Sequence, residues 1–182
     1  MDTGLTFEEQ QQQGRWNLKR LGIPERSLDR RGLEDEIARF LQKKQCLSLA
    51  TVNADGSPHQ TILDYVSDGL EIIIASAGGH KFENLARNPR VSVAIGYTDG
   101  TVESEYGLTI DGTAKVYGAP HPKFLGGMLK MKSFLEEWSR AVQPMENIIK
   151  RAITARVIRI RPERMLYMNL PDGVILSRWD KS

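Results

Sequence analysis

At 182 residues, with 40% hydrophobic and 26% charged side chains and a formal net charge of +2, the chain has the size and composition of one ordinary globular domain. That excludes two catalytic domains joined by a linker, and it excludes the basic excess of a general nucleic-acid binder. The single cysteine, Cys46, excludes an intramolecular disulfide and a Cys-rich zinc site, and it suits a reducing, cytoplasmic home.

Residues 1–32 read as an N-terminal arm, polar through the tract Gln10 to Gln13 and then basic through Arg15, Lys19, Arg20, Arg26, Arg30 and Arg31. The acidic opening, with Asp2, Glu8 and Glu9, reverses the order of a secretory leader, so the expectation is a protein that stays in the cytoplasm. Trp16, Leu18, Leu21, Ile23 and Leu28 are too sparse for a core of their own. The default reading is a solvated, partly helical tail, whose apolar residues would have to dock on the main body or on a partner subunit.

Residues 33–182 read as the domain proper. Leu33, Ile37, Phe40 and Leu41 draw one stripe on a helix over Leu33 to Gln45. Cys46 to Asn53 is a strand ended by Asn53-Ala54-Asp55-Gly56, which predicts a hairpin. A second strand is expected from Gln60 to Val66, with Thr61, Leu63 and Tyr65 on one face and Gln60, Ile62, Asp64 and Val66 on the other. Ser67-Asp68-Gly69 turns it back into a third strand, Leu70 to Ser76. A glycine pair follows, then a short helix, Phe82 to Arg87, stopped by Asn88-Pro89.

Val91 to Tyr97 predicts a fourth strand, and strand-like material resumes on either side of Asp111-Gly112, as Leu108 to Ile110 and Thr113 to Tyr117. Phe124, Met128, Met131, Leu135 and Trp138 recur at helical spacing and predict a helical insertion near 122–141. Ala155 to Ile160 and Met165 to Leu170 return to strand before Pro171-Asp172-Gly173. Short strands at this spacing argue for a mainly β fold, an antiparallel barrel with flanking helices. No apolar run reaches the roughly 18 to 20 residues of a membrane helix.

The chemistry concentrates between Leu49 and Ile95. Ser57-Pro58-His59-Gln60-Thr61-Ile62 is dense in hydrogen-bonding side chains. Ala75 and Ser76 are small enough for a flat ligand to approach the strand closely. Gly78-Gly79-His80-Lys81 combines free backbone amides, a helix start and a cation, which suits a phosphate. A glycine turn with a solvated lysine explains the same residues without a ligand.

The ordered set Leu49-Ala50-Thr51-Val52, Asp55-Gly56-Ser57-Pro58, Thr61, Gly79-His80-Lys81, Asn84-Leu85 and Asn88-Pro89-Arg90-Val91-Ser92 resembles the FMN-binding split-barrel family related to pyridoxamine 5′-phosphate oxidase. The resemblance covers residues 33 to 118, with closing strands from Arg156 to Val174. It implies a split barrel that binds FMN at a homodimer interface and acts as an oxidoreductase by hydride or electron transfer. Carried over residue by residue, it assigns His80 and Lys81 to the FMN phosphate. Gln60, Thr61 and Ile62 go to the phosphate and isoalloxazine, and Ala75 and Ser76 to the end of the third strand.

His80 stands where the family commonly has arginine, and Gln60 replaces another basic residue, so fewer permanent charges face the phosphate. The tail from Leu170 to Ser182 has Arg178 but no histidine, so oxidation of pyridoxamine phosphate itself is not expected. Trp179 is the indole best placed to cover a bound ring. Haem, ligated by His59, His80 or His121, and a deazaflavin whose acidic tail meets the basic arm remain alternatives to FMN, as does a carrier or sensor without turnover. The three histidines have no metal-ligand spacing, no serine sits in a nucleophile elbow, and the arm carries no base-reading motif. No catalytic acid or base is assigned. Asp64 and Tyr65 lie nearest, and a solvated edge carboxylate and a packed phenol account for them.

Overall fold

The structure, a computed structural model, describes residues 4–44, 46–132, 136 and 153–181. Helix α1 (Phe7–Leu21) starts at a capping box in which Thr6 and Glu9 satisfy each other's backbone amides, and it ends at Gly22 with φ 68°. The arm is therefore an ordered helix that docks. Its Leu18 is buried with Leu170 and Ile175, and Gly14 lets the helix lie against the Ile175 side chain. Helix α2 (Arg30–Lys43) begins three residues earlier than its apolar stripe suggests, because Asp29 caps it by accepting from the Gly32 amide at 2.7 Å. The whole stripe, Leu33, Ile37, Phe40 and Leu41, is buried in the main core.

Eight strands form one antiparallel sheet: β1 (Cys46–Val52), β2 (Pro58–Asp64), β3 (Val66–Asp68), β4 (Glu71–Ala77), β5 (Arg90–Tyr97), β6 (Tyr106–Tyr117), β7 (Ala155–Asn169) and β8 (Val174–Asp180). The order is β2-β1-β5-β6-β7-β4-β3, with β8 beside β7. Alternation drives the curl: Leu47 and Leu49, Ile72 and Ile74, Val93 and Ile95, Leu108 and Ile110, Ile158 and Ile160 all point into one interior. Each such buried side chain contributes about 1.5–3 kcal/mol relative to exposure.

Three differences from the sequence reading have local causes. The expected second strand is two, β2 and β3, broken at the buried Tyr65, whose hydroxyl donates to the Leu41 carbonyl at 3.1 Å. Because β2 lies at one end of the sheet order and β3 at the other, this single segment closes the barrel. Asp111-Gly112 does not interrupt the chain direction. It is a register shift inside one 12-residue strand, where a Cβ on residue 112 would collide with the Arg161 carbonyl. The two expected C-terminal runs are likewise one strand, β7, which carries Pro162 opposite that bulge.

Helix α3 (Lys81–Arg87) follows β4, and helix α4 (Pro122–Lys130) opens the expected insertion. Phe124 packs with Ile73 and Val157 on the outer face of β4 and β7, and Gly127 allows the approach, since a Cβ there would sit 2.6 Å from a Val157 methyl. Leu135 and Trp138 lie outside the described residues. Among the described residues no helix is long and apolar enough to cross a membrane.

Candidate functional site

The barrel has an open seam. Among the described residues strand β2 pairs only with β1, and β4 pairs with β3 no further than Val66↔Ile73, so from Ile74 to Ala77 it has β7 on one side and no described strand on the other. The two strands approach each other without a ladder between them. Alternate backbone N–H and C=O groups along both edges are thus directed into the seam, as hydrogen-bonding partners for whatever lies there.

The loop leaving β4 closes one end of the seam. Gly78 and Gly79 adopt φ of 80° and 99°, a region closed to other L residues without strain. That turn folds the chain back so that the Lys81 side chain enters the protein. Lys81 is only 5% exposed, and its ammonium donates to the Gly78 carbonyl at 2.6 Å and lies 4.9 Å from the Phe82 ring centroid. Among the described residues no carboxylate pairs with it. Burial accordingly pushes its pKa below the ordinary lysine value. A Cβ on residue 79 would stand 3.0 Å from the ammonium, so the glycine keeps the space beside the charge clear.

His80, at the start of α3, is exposed and stands 3.7 Å from the Glu83 carboxylate. Across the seam its ring meets that of His59 edge to face, with centroids 6.0 Å apart. His59 in turn lies 3.3 Å from the Thr61 hydroxyl. The alternation of β2 puts His59, Thr61 and Leu63 on the half-buried face and Gln60 and Ile62 on the opposite, exposed face. On β4, Ser76 continues the inward row of Ile72 and Ile74, whereas Ala75 shares the outer row with Ile73.

The structure therefore brings Thr61, Ser76, His80 and Lys81 to one seam and turns the Gln60 and Ile62 side chains away from its interior. Trp179 is elsewhere: it is buried on β8, its indole donates to Glu34 of α2 at 2.6 Å, and Arg30 lies 5.4 Å from its ring centroid. His121 caps α4, accepting from the Lys123 amide at 3.1 Å, and packs on Tyr117. Tyr65 is a core phenol, its pKa raised first by burial, and Asp64 is exposed at the end of β2. On the arm, Arg15 pairs with Glu25 and Arg30 with Glu34. Among the described residues no three His, Cys, Asp or Glu side chains converge as a metal site would.

One contributor has no signal in the sequence beyond its place in the ordered motif. Asn84 is 1% exposed; its side-chain amide donates to the Thr51 hydroxyl at 3.0 Å and to Oδ1 of the Asn53 side chain at 2.9 Å, and its own side-chain oxygen accepts from Arg87 at 2.8 Å. This network ties α3 to the β1–β2 hairpin and so sets the distance between Lys81 and His59. Its hydrogen-bonding capacity is spent on protein partners, which makes Asn84 a positioning residue.

The topology and the seam define an antiparallel split barrel. The chain belongs to the pyridoxamine 5′-phosphate oxidase family, whose sequence profile matches residues 33–169. No curated protein matches the sequence. Among solved structures, a Listeria innocua protein provisionally described as a pyridoxamine 5′-phosphate oxidase is 27% identical with a TM-score of 0.56, covering 75% of this chain and 98% of its own. The haem storage protein HutZ of Vibrio cholerae is 22% identical with a TM-score of 0.57, over 72% of this chain and 90% of its own. An FAD-binding protein of Mesorhizobium loti is 20% identical with a TM-score of 0.55, over 71% and 87%. The last two share the fold.

Proposed function

We propose that the protein is an FMN-binding oxidoreductase that grips the flavin phosphate at Gly78-Gly79-His80-Lys81 within the seam. The observation that carries this reading is the Lys81 ammonium, buried without a carboxylate partner. A buried, unpaired charge is costly, and a phosphate placed against it would offset that cost. The cradle fits: one of three ammonium donors is used, Gly79 leaves the space open, and His80 stands at the mouth. The free strand edges of β2 and β4 suit the polar edge of a ring system, and the small side chains of Ala75 and Ser76 permit close approach.

Bound there, FMN would supply hydride or electron transfer. The chain's own residues hold and orient: Lys81 and His80 the phosphate, Thr61 and the backbone edges the ring, Asn84 the loop. The family's substrate reaction is not part of the proposal, because Arg178 lies over the Phe7 ring of α1, at 5.3 Å, and not at the seam.

A homodimer belongs to the same reading. The outer face of β2, β1 and β5 presents Ile62, 74% exposed, in one cross-strand row with the small residues Ser48 and Ala94. That row of one large apolar and two small side chains suits a second copy, which would also shield the seam from water. The exposed thiol of Cys46 suits a cytoplasmic setting.

Haem is the second reading, favoured by the two imidazoles of His59 and His80 facing each other at the seam, and by the haem storage function of the Vibrio neighbour. The absorption spectrum of the purified protein decides between them. Paired flavin bands support the main reading; a single Soret band, or a deazaflavin spectrum, overturns it. With flavin bound, anaerobic mixing with reduced nicotinamide cofactors should bleach it, and an inert holoprotein across all donors would make the protein a carrier.

A further inference from the structure

A cavity of about 450 Å³ opens at the end of the barrel away from the Gly78–Lys81 loop. It lies between the last turns of α2 and the starts and ends of β5, β6 and β7, at Tyr97, Tyr106 and Asn169. The Gly78–Lys81 loop is near the opposite end of these strands, on the order of 30 Å away at about 3.3 Å per residue along β6. The two sites share no residue.

Its chemistry is distinct from that of the seam. The Tyr97 and Tyr106 rings are 6.0 Å apart and inclined by 32°, and Tyr97 is 55% exposed, so one face of its ring is open to the cavity mouth. Lys44 lies 4.0 Å from the Tyr106 centroid, and its ammonium donates to the Tyr106 hydroxyl at 2.7 Å. That contact fixes a cation on the cavity wall without neutralising it. Lys43 joins it from the last turn of α2, and among the described residues neither lysine has a carboxylate partner.

The lining sets Arg39, Lys43 and Lys44 against two acids, Glu36 and Asp172. Glu36 is shared between Arg26 at 3.0 Å and Arg39 at 2.9 Å, and the Asp172 carboxylate accepts from Asn169 at 2.7 Å and keeps its charge. Positive charge is therefore in surplus around an aromatic wall, in a volume that accommodates a small ligand. A cation would be repelled, and a neutral ring would leave the lysines unused.

We propose that this cavity binds a planar aromatic anion, with its ring against Tyr97 and its anionic group between Lys43 and Lys44. The chemistry is common to a nucleoside monophosphate and to a small aromatic carboxylate, and the cavity admits either. A helix C-terminus also attracts lysines for its own sake. That effect would leave the two lysines in place and provide no affinity for a ring.

Calorimetric titration of the full-length protein with adenosine 5′-monophosphate, 4-hydroxybenzoate and inorganic phosphate tests this. At least one aromatic anion should bind more tightly than inorganic phosphate, and which one binds identifies the class. Loss of the charged contact in Lys44→Gln or Lys43→Gln should weaken it roughly tenfold or more. Tyr97→Ala should have a comparable effect while Tyr97→Phe retains binding. Lys81→Ala removes the phosphate contact of the seam and should leave the Tyr97-dependent binding in place. Absence of binding by both aromatic anions, a Lys44→Gln-sensitive affinity for inorganic phosphate equal to theirs, indifference to Tyr97→Ala, or loss of the Tyr97-dependent binding in Lys81→Ala would each overturn the proposal. Tyr97 and Lys43 are exposed and Lys44 is half-buried outside the core, so circular dichroism of the variants should match that of the unaltered protein.

Discussion

Replacing Lys81 by alanine tests the proposed phosphate recognition apart from the rest of the seam. In the free protein one ammonium proton bonds to the Gly78 carbonyl, so two donors remain for an incoming phosphate and no protein bond has to be broken. A hydrogen bond to a charged group is worth about 1.5–3 kcal/mol, which is roughly a 10- to 150-fold loss in FMN affinity. Fluorescence titration of the apoprotein with FMN reads this directly, and riboflavin, which lacks the phosphate, supplies the control. Lys81→Ala should weaken FMN and leave riboflavin unchanged, while size-exclusion chromatography and thermal melting show an intact fold. Equal losses for FMN and riboflavin, or no loss for either, would refute the phosphate assignment. The same residue sets a pH dependence. Its folded pKa lies below the ordinary value of 10.5, so the unfolded chain binds the proton more tightly and the charged form opposes folding. That destabilisation is fully present below the folded pKa and is lost as pH rises from there toward 10.5. Stability of the apoprotein relative to Lys81→Met should therefore improve over this window.

Three further substitutions test the frame around the seam. Asn84→Ala removes the donor to the buried Thr51 hydroxyl and releases α3 from the hairpin; it should cost about 1–3 kcal/mol in urea unfolding and also weaken FMN binding. Gly112→Ala forces a methyl group into the Arg161 carbonyl, so it should destabilise by about 1–3 kcal/mol or yield insoluble protein, with no change if β6 instead turned back at that point. Trp179→Phe removes the indole bond to Glu34 and should lower stability by about 1 kcal/mol with FMN affinity unaltered; a large loss of flavin would place this side chain at the cofactor of a partner subunit.

Much of the barrel was legible because its signals are local. The stripe Leu33-Ile37-Phe40-Leu41, the Asn53-to-Gly56 turn and the alternation on β5 each depend on one segment, and each folds as read. Asp111-Gly112 was ambiguous because a bulge and a turn ask the same thing of glycine, and only the neighbouring Arg161 backbone distinguishes them. The break at Tyr65 was not legible at all, since β2 and β3 differ in partner and not in pattern. At the seam, glycine-glycine before Lys81 was a sufficient signal for the loop. Residue types alone did not give the burial of the ammonium, the His59–His80 contact or the Asn84 network, which unite segments about 20 to 30 positions apart. An aromatic near a terminus reads the same whether it covers a ligand or closes a core, and the burial of Trp179 on β8 was not legible from its position.

The segment Pro58–Asp68 joins the two ends of the sheet by covalent chain, while hydrogen bonds are missing along the seam it leaves. Tyr65, whose phenol is anchored to Leu41 of α2, sits where the covalent chain joins the two edges. Widening the seam for the proposed flavin would break no ladder bond between β2 and β4, and would strain the packing at that one tyrosine first.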